Sequence, residues 1–247
     1  MSALLEVQGV SKSFGGVVAN QDISLEVHKG KIIGLIGPNG SGKTTLFNSI
    51  VGYHPIDKGS IRFRSREISS LQVPEIARLG LLRTFQQTRI YGKMTCVQNM
   101  LISRSERKSR FIDLFASQTG RGIRRADELL EFVGLYEKRH LPAGTLSFGQ
   151  QKLLEFAMAL MNEPEMLMLD EPTAGINPTL INGLIDRLRR ANADFGITLF
   201  VIEHNMRVMM NLAEYIYCLA HGELLAEGAP EQIQNDQRVI DAYLGAH

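Results

Sequence analysis

The stretch GPNGSGKT at 37–44 constrains this chain more than any other, because of what stands on either side of it. Before it runs KIIGLI, apolar and rich in β-branched residues, and after it runs TLFNSIV, which has the look of a helix start. A G-x-x-x-x-G-K-[ST] loop between a strand and a helix is built to hold phosphates. Gly37, Gly40 and Gly42 let the backbone curl so that successive N–H groups face inward at phosphate oxygens. The helix beginning at Thr44 adds its positive N-terminal end. Lys43 is expected to reach the β- and γ-phosphates, and the Thr44 hydroxyl to ligate Mg2+. The loop Gly37, Pro38, Asn39, Gly40, Ser41, Gly42, Lys43, Thr44 and Thr45 is therefore the expected site of a nucleoside triphosphate.

MLMLDE at 166–171 supplies a second half to such a site. Four apolar residues make a buried strand, and Asp170 emerges at its end, where it can hold Mg2+ through water. Glu171 stands one residue further on, able to accept a proton from an attacking water; a purely structural acid is the alternative. His204 follows the apolar run ITLFVIE and so also sits at the C-terminal end of a strand. Ligands of open α/β sheets bind at that edge, which places His204 to touch the γ-phosphate.

The other strand signals are LLEVQGV (4–10), ISLEV (23–27), SIRF (60–63), YIYCLA (215–220) and GELLAEG (222–228). KIIGLIG, MLMLD and ITLFVIE are nearly continuous apolar runs, as in strands buried on both faces of a mostly parallel sheet. The early and late runs alternate, which suits an antiparallel edge. Asn177-Pro178 reads as a helix N-cap, with Leu180, Ile181, Leu184, Ile185 and Leu188 on one face. In LSFGQQ, Ser147-x-x-Gln150 is a capping-box pattern opening a helix that buries Leu153, Leu154, Ala157, Met158 and Met161. From 87 to 146 no convincing strand occurs, and the middle is basic. Between Arg104 and Arg125 seven Lys/Arg face only Glu106 and Asp113, a net of +5. A solvated surface segment is the plain reading, and contact with anionic headgroups or an acidic partner the other.

A length of 247 residues suits one large α/β domain or one domain with an insertion. The formal net charge of +1 argues against a nucleic-acid partner. Cys96 and Cys218 have no metal-ligand spacing and read as reduced packing residues. The N-terminus MSALLEVQGVSKSF lacks the basic region and apolar run of a signal peptide. The most apolar windows fall far short of the roughly 20 residues a spanning helix needs. The chain is therefore expected to meet a membrane only through a partner.

Taken together, GPNGSGKT, LSFGQQ and MLMLDE resemble the ATP-binding subunits of ABC transporters, over essentially the whole chain. LSFGQQ looks like the family signature LSGGQ, RTFQ (83–86) like the Q-loop, TAGINP (173–178) like the D-loop and IEH (202–204) like the histidine switch. The resemblance implies an α/β P-loop NTPase core with a mostly parallel sheet, an antiparallel β edge subdomain and an inserted α-helical subdomain. Residues 1–86 would be the first part of the core, 87–146 the helical subdomain, and 147–247 the signature helix with the rest of the core. It also implies roles: Gln86 senses Mg2+ and the γ-phosphate, Glu171 is the general base, and His204 stabilises the transferring phosphoryl group. Phe14 takes the place of an aromatic that stacks on adenine, where the family usually has Tyr; an ordinary core Phe at a strand end is the alternative. Ser147, Phe148, Gly149 and Gln150 would meet ATP bound to a partner subunit. The helix start there exposes N–H groups and a positive dipole end, the equipment for a γ-phosphate. Phe148 departs from the usual Gly, and Asn177 from the Asp of many D-loops.

RTFQQTRIYGKMT, SFGQQ, AGINP, IEHNM and the ending VIDAYLG resemble, more closely, importers of branched-chain amino acids and related polar solutes. Urea importers use very similar ATPases, whereas the lipopolysaccharide-exporter ATPase lacks the RTFQ and FGQQ forms. The resemblance implies transmembrane permease subunits and a second, non-identical ATPase subunit as partners, with a homodimer open in isolation. A periplasmic solute-binding protein would act indirectly. The expected location is the cytoplasmic face of the inner membrane. Ribosome-acting relatives carry two cassettes and repair relatives long coiled coils, neither of which fits one P-loop in this length. A module that binds nucleotide without hydrolysing it is opposed by Lys43, Asp170, Glu171 and His204 together. The solute itself is not written in these residues.

Overall fold

A computed structural model describes residues 3–84, 90–104 and 120–244 of the chain. Gln86 and most of the basic stretch, 105–119, lie outside the described residues. The strands are, in chain order, β1 (Ala3–Phe14), β2 (Val17–His28), β3 (Ile32–Ile36), β4 (Lys58–Phe63) and β5 (Arg66–Glu67). They continue with β6 (Leu81–Arg83), β7 (Met166–Asp170), β8 (Thr198–Ile202), β9 (Tyr215–Ala220) and β10 (Glu223–Gly228). The helices are α1 (Lys43–Ile50), α2 (Val73–Leu79), α3 (Cys96–Ile102), α4 (Gly120–Phe132) and α5 (Phe148–Leu160). After them come α6 (Pro178–Phe195), α7 (Met206–Leu212), α8 (Pro230–Gln234) and α9 (Gln237–Leu244).

Two compact units emerge. The first comprises Met1–Arg83, Glu165–Pro172 and Leu188–His247. It holds a six-stranded sheet of order β10-β9-β3-β8-β7-β6 and a four-stranded sheet of order β2-β1-β4-β5. In the larger sheet β9, β3, β8, β7 and β6 run parallel and only β10 is antiparallel. Every residue of β3, β7 and β8 is buried, as continuous apolar runs require when a strand is covered on both faces. The smaller sheet is antiparallel throughout. The α/β architecture with an antiparallel edge is thus the one expected. The strands β5 and β6, two and three residues long, carry too few positions for a pattern to announce them.

The core of this unit gathers Leu5, Val7, Ile23 and Leu25 of the smaller sheet with Leu46, Phe47 and Ile50 of α1. Phe47 reaches Phe200 of β8 with ring centroids 4.9 Å apart. Burial of each such side chain contributes about 1.5–3 kcal/mol, and here it holds the helix after the Gly-rich loop on its sheets.

The second unit comprises Thr84–Pro164 and Thr173–Arg187, in which α3, α4 and α5 pack on one another. Thr95 opens α3 with a reciprocal capping box: Gln98 N–H donates to its Oγ1 at 3.2 Å, and Thr95 N–H to Gln98 Oε1 at 2.8 Å. At the other end of α3, the Ser103 hydroxyl donates to Met158 O at 3.2 Å, and Asn162 Nδ2 to Ser103 O at 2.9 Å. These bonds and the packing carry the unit past residue 146 and so take in α5. Its helix buries Leu154, Ala157 and Met161 as expected, but also Lys152, Phe156 and Leu160, while Leu153 and Met158 are half-buried. The expected face of α6 needs one correction: Leu184, Ile185 and Leu188 are buried, but Leu180 in the first turn is 50% exposed. Cys96 and Cys218 are buried and free. No helix among the described residues is long and apolar enough to cross a membrane.

Candidate functional site

β3 delivers the chain to the loop at Gly37, whose φ of +146° lies outside what other residues favour. A Cβ at Gly37 would stand 2.1 Å from Leu219 O, and one at Gly42, with φ +98°, 2.3 Å from Ala19 O. Neither position admits a side chain. Gly42 is the N-cap of α1, so the helix starts at Lys43, one residue before the expected Thr44. Lys43 is buried, and its Nζ donates to Gly37 O and Pro38 O at 2.8 Å and to Ser41 Oγ at 3.2 Å. Burial lowers its pKa below the ordinary lysine value, while the nearby carboxylates of Glu171 and Asp170 pull the other way.

Three outside groups hold this loop. Asn20 of β2 donates from Nδ2 to Gly42 O at 3.1 Å. Gly222 N–H donates to Ser41 O at 3.2 Å. Gly37 N–H donates to the Tyr243 hydroxyl oxygen at 2.8 Å. No sequence signal pointed to Asn20. Tyr243 lies in the VIDAYLG ending, noticed only as a likeness.

Asp170 ends β7 and is 3% exposed. Arg83, the last residue of β6, donates from Nη2 to Asp170 Oδ2 at 2.5 Å and from Nη1 to Asn48 Oδ1 of α1 at 2.5 Å. Its guanidinium carbon lies 5.6 Å from the Phe47 ring centroid. In RTFQ the family likeness rests on the glutamine, and the arginine carries no part of it. Its signal was there, a charge at the end of an apolar run. Among the described residues no three His, Cys, Asp or Glu side chains come together as a metal cluster. The two expected ligands described, the Thr44 hydroxyl and the Asp170 carboxylate, offer oxygen donors only. That chemistry fits Mg2+, whose shell is commonly completed by substrate phosphates and water.

Glu171 follows with φ +50°, a left-handed backbone that a non-glycine residue adopts at a cost. Its N–H is fixed to Ile202 O at 2.9 Å, and its Oε1 lies 2.5 Å from His204 Nε2. The parallel pairing of β7 with β8, Asp170 opposite Ile202, sets this meeting. Two adjacent acids and a histidine from another strand's end thus stand at the C-terminal ends of β7 and β8.

Phe14, at the end of β1, is 43% exposed and so is not a core residue. His54 meets its ring edge-on at 5.2 Å, and Lys12 Nζ lies 5.2 Å from the centroid. Lys12 is itself held by Asp57 at 2.9 Å. An exposed, braced ring of this kind can stack on a flat base.

In the second unit Ser147 caps α5 as the spacing indicated: Gln150 N–H donates to its Oγ at 3.4 Å, and Ser147 N–H to Gln150 Oε1 at 3.1 Å. Phe148 now has a local account. Its ring covers Gly175 of the TAGINP turn, where a Cβ would come within 2.9 Å of Phe148 Cε1. Lys152 Nζ lies 5.7 Å above the same ring. Asn177 caps α6, accepting at Oδ1 from Thr179 N–H at 3.1 Å and from the Thr179 hydroxyl at 3.0 Å.

A model of the ABC transporter family matches residues 20–174. A model described as branched-chain amino acid ATP-binding cassette transporter matches residues 223–247. The chain is 39% identical to the high-affinity branched-chain amino acid transport ATP-binding protein BraF of Pseudomonas aeruginosa, covering 98% of each. It is 38% identical to LivG of Escherichia coli K12, which carries the same description, again over 98% of each. Among solved structures it is similar to the ADP conformation of an ATP-binding cassette of an ABC transporter. That likeness has a TM-score of 0.88 at 33% identity, covering 99% of this chain and 100% of the other. A nucleotide-free cassette gives 0.86 at 33% identity, covering 98% of both.

Proposed function

Because this chain belongs to the ABC transporter family, matched over residues 20–174, we propose that it is the ATPase that energises an importer of branched-chain amino acids. ATP binding and hydrolysis come with the family. The substrate class is supported by one observation above all: identity of 38–39% to LivG and BraF, end to end. The C-terminal match over residues 223–247 supports the same reading.

In this reading the phosphates of ATP lie along residues 37–45, and Lys43 exchanges its three loop acceptors for phosphate oxygens. Phe14 stacks on the adenine. Thr44 and Asp170 would hold Mg2+, with Gln86 as a further contact; the ion would supply charge that neutralises the phosphates. Glu171 takes the proton of the attacking water, and His204 holds that carboxylate in place from 2.5 Å. In-line attack needs an oriented base more than a strong one, and the pinned Glu171 backbone answers that need.

Ser147, Phe148, Gly149 and Gln150 act on the nucleotide of a second ATPase subunit. The start of α5 offers a positive dipole end. Permease subunits carry the solute, and through them this subunit sits at the inner face of the membrane. Ser147→Arg puts a bulky cation in place of the cap. It is expected to remove the more-than-first-order dependence of turnover on protein concentration, while ATP binding to the isolated monomer stays at the wild-type level. Weaker monomer binding would mean that the signature acts on its own subunit's nucleotide. The solute class is tested by reconstituting the ATPase with its permeases and its solute-binding protein. ATP turnover should rise with leucine, isoleucine or valine; a response only to urea or glutamate would overturn the substrate assignment.

A further inference from the structure

The helix α9 ends the described chain, and its Tyr243 reaches the phosphate loop from 206 positions away in sequence. The helix is anchored through Val239, which is buried, while Ile240 and Leu244 face outward. Tyr243 is half-buried, and burial pushes its phenol up to about 12, so at neutral pH it stays protonated and its oxygen is a neutral acceptor. That oxygen receives the N–H of Gly37 at 2.8 Å. The carbonyl of the same residue accepts from Lys43 Nζ at 2.8 Å. On the flank, Leu219 O leaves no room for a shift in the direction of a Cβ. One glycine is thus held on three sides, and the C-terminal helix supplies one of them.

We propose that Tyr243 is a positioning residue for ATP binding: its hydroxyl fixes the Gly37 peptide, and through it the place from which Lys43 meets the phosphates. The hydroxyl is what reaches the loop. Without it the Gly37 peptide is released to other orientations, and the binding-competent share of the loop falls. Apparent affinity falls by the same factor, while the chemistry of a correctly bound nucleotide is untouched. The C-terminal segment then becomes an input to the nucleotide site, because whatever displaces α9 loosens the loop.

This inference rests on residues 37–44 being the phosphate loop, so the experiment carries Lys43→Ala beside Tyr243→Phe in the full chain. For Tyr243→Phe, the dissociation constant and KM for ATP should rise about five- to tenfold, the loss of one hydrogen bond to a buried donor. At saturating ATP, kcat should stay within about twofold of wild type. With 15N-glycine labelling, the Gly37 amide resonance should shift. A wild-type dissociation constant, or a loss confined to unfolding stability, would show Tyr243 to be a packing residue only and overturn the proposal. Wild-type ATP binding by Lys43→Ala would instead remove the phosphate-loop reading, and this inference with it.

Discussion

Glu171→Gln is expected to lower ATP turnover by about 10^3-fold, within the range that a positioned general base contributes. Glutamine keeps the size and shape of the side chain and can still hydrogen-bond His204, so the 2.5 Å contact does not collapse. What disappears is a group that can take a proton. The left-handed backbone at 171 is fixed by the Ile202 carbonyl, not by the carboxylate, so the loop keeps its course. ATP should therefore bind with wild-type affinity and persist unhydrolysed, and a nucleotide-dependent dimer should accumulate on size-exclusion chromatography. Single-turnover kinetics with labelled ATP give the rate directly. Unchanged turnover would remove Glu171 as the base, and His204 would be the next group to test.

Arg83→Met is expected to destabilise the fold by about 3–5 kcal/mol, the usual result of removing one partner from a buried ion pair. The side chains of Arg83 and Asp170 are 5% and 3% exposed, and solvent cannot repair the loss. Methionine fills much of the volume over Phe47, so the expected loss is electrostatic, not a cavity. Asn48 of α1 loses the same guanidinium, and the helix after the phosphate loop loses a tie to β6. Urea unfolding measures the change. Adding Asp170→Asn should recover part of it by removing the stranded charge, which a double-mutant cycle would report as coupling. A midpoint equal to wild type in Arg83→Met would mean that the pair contributes no net stability.

Much of this site could be read from the sequence because its parts are contiguous. The loop at 37–44, the acids at 170 and 171 and the Ser147 capping box are each set by neighbours within a few residues. The buried runs of β3, β7 and β8 are legible for a similar reason, since a strand covered on both faces has no polar positions to alternate. What escaped is pairing at a distance. Arg83 meets Asp170 because β6 lies beside β7, and Tyr243 meets Gly37 because α9 returns to the residue that follows β3. Sheet order and the return of a helix are properties of the assembled fold, with no local pattern to carry them. Leu180 misled for the opposite reason: helical periodicity marks a face, but the first turn of α6 leaves its part of that face in solvent. Phe148, the first residue of α5, meets Gly175, 27 positions away, a contact with no local pattern to announce it.

The φ of +50° at Glu171 ties two selective pressures to one position. A left-handed backbone is most comfortable for glycine or asparagine, so selection on folding alone would drift toward those residues. The proposed role as general base demands a long carboxylate. In a library screened only for thermal stability, variants at 171 would therefore be enriched among the inactive. In its proposed role as the base, the residue is a place where durability and work are traded against each other.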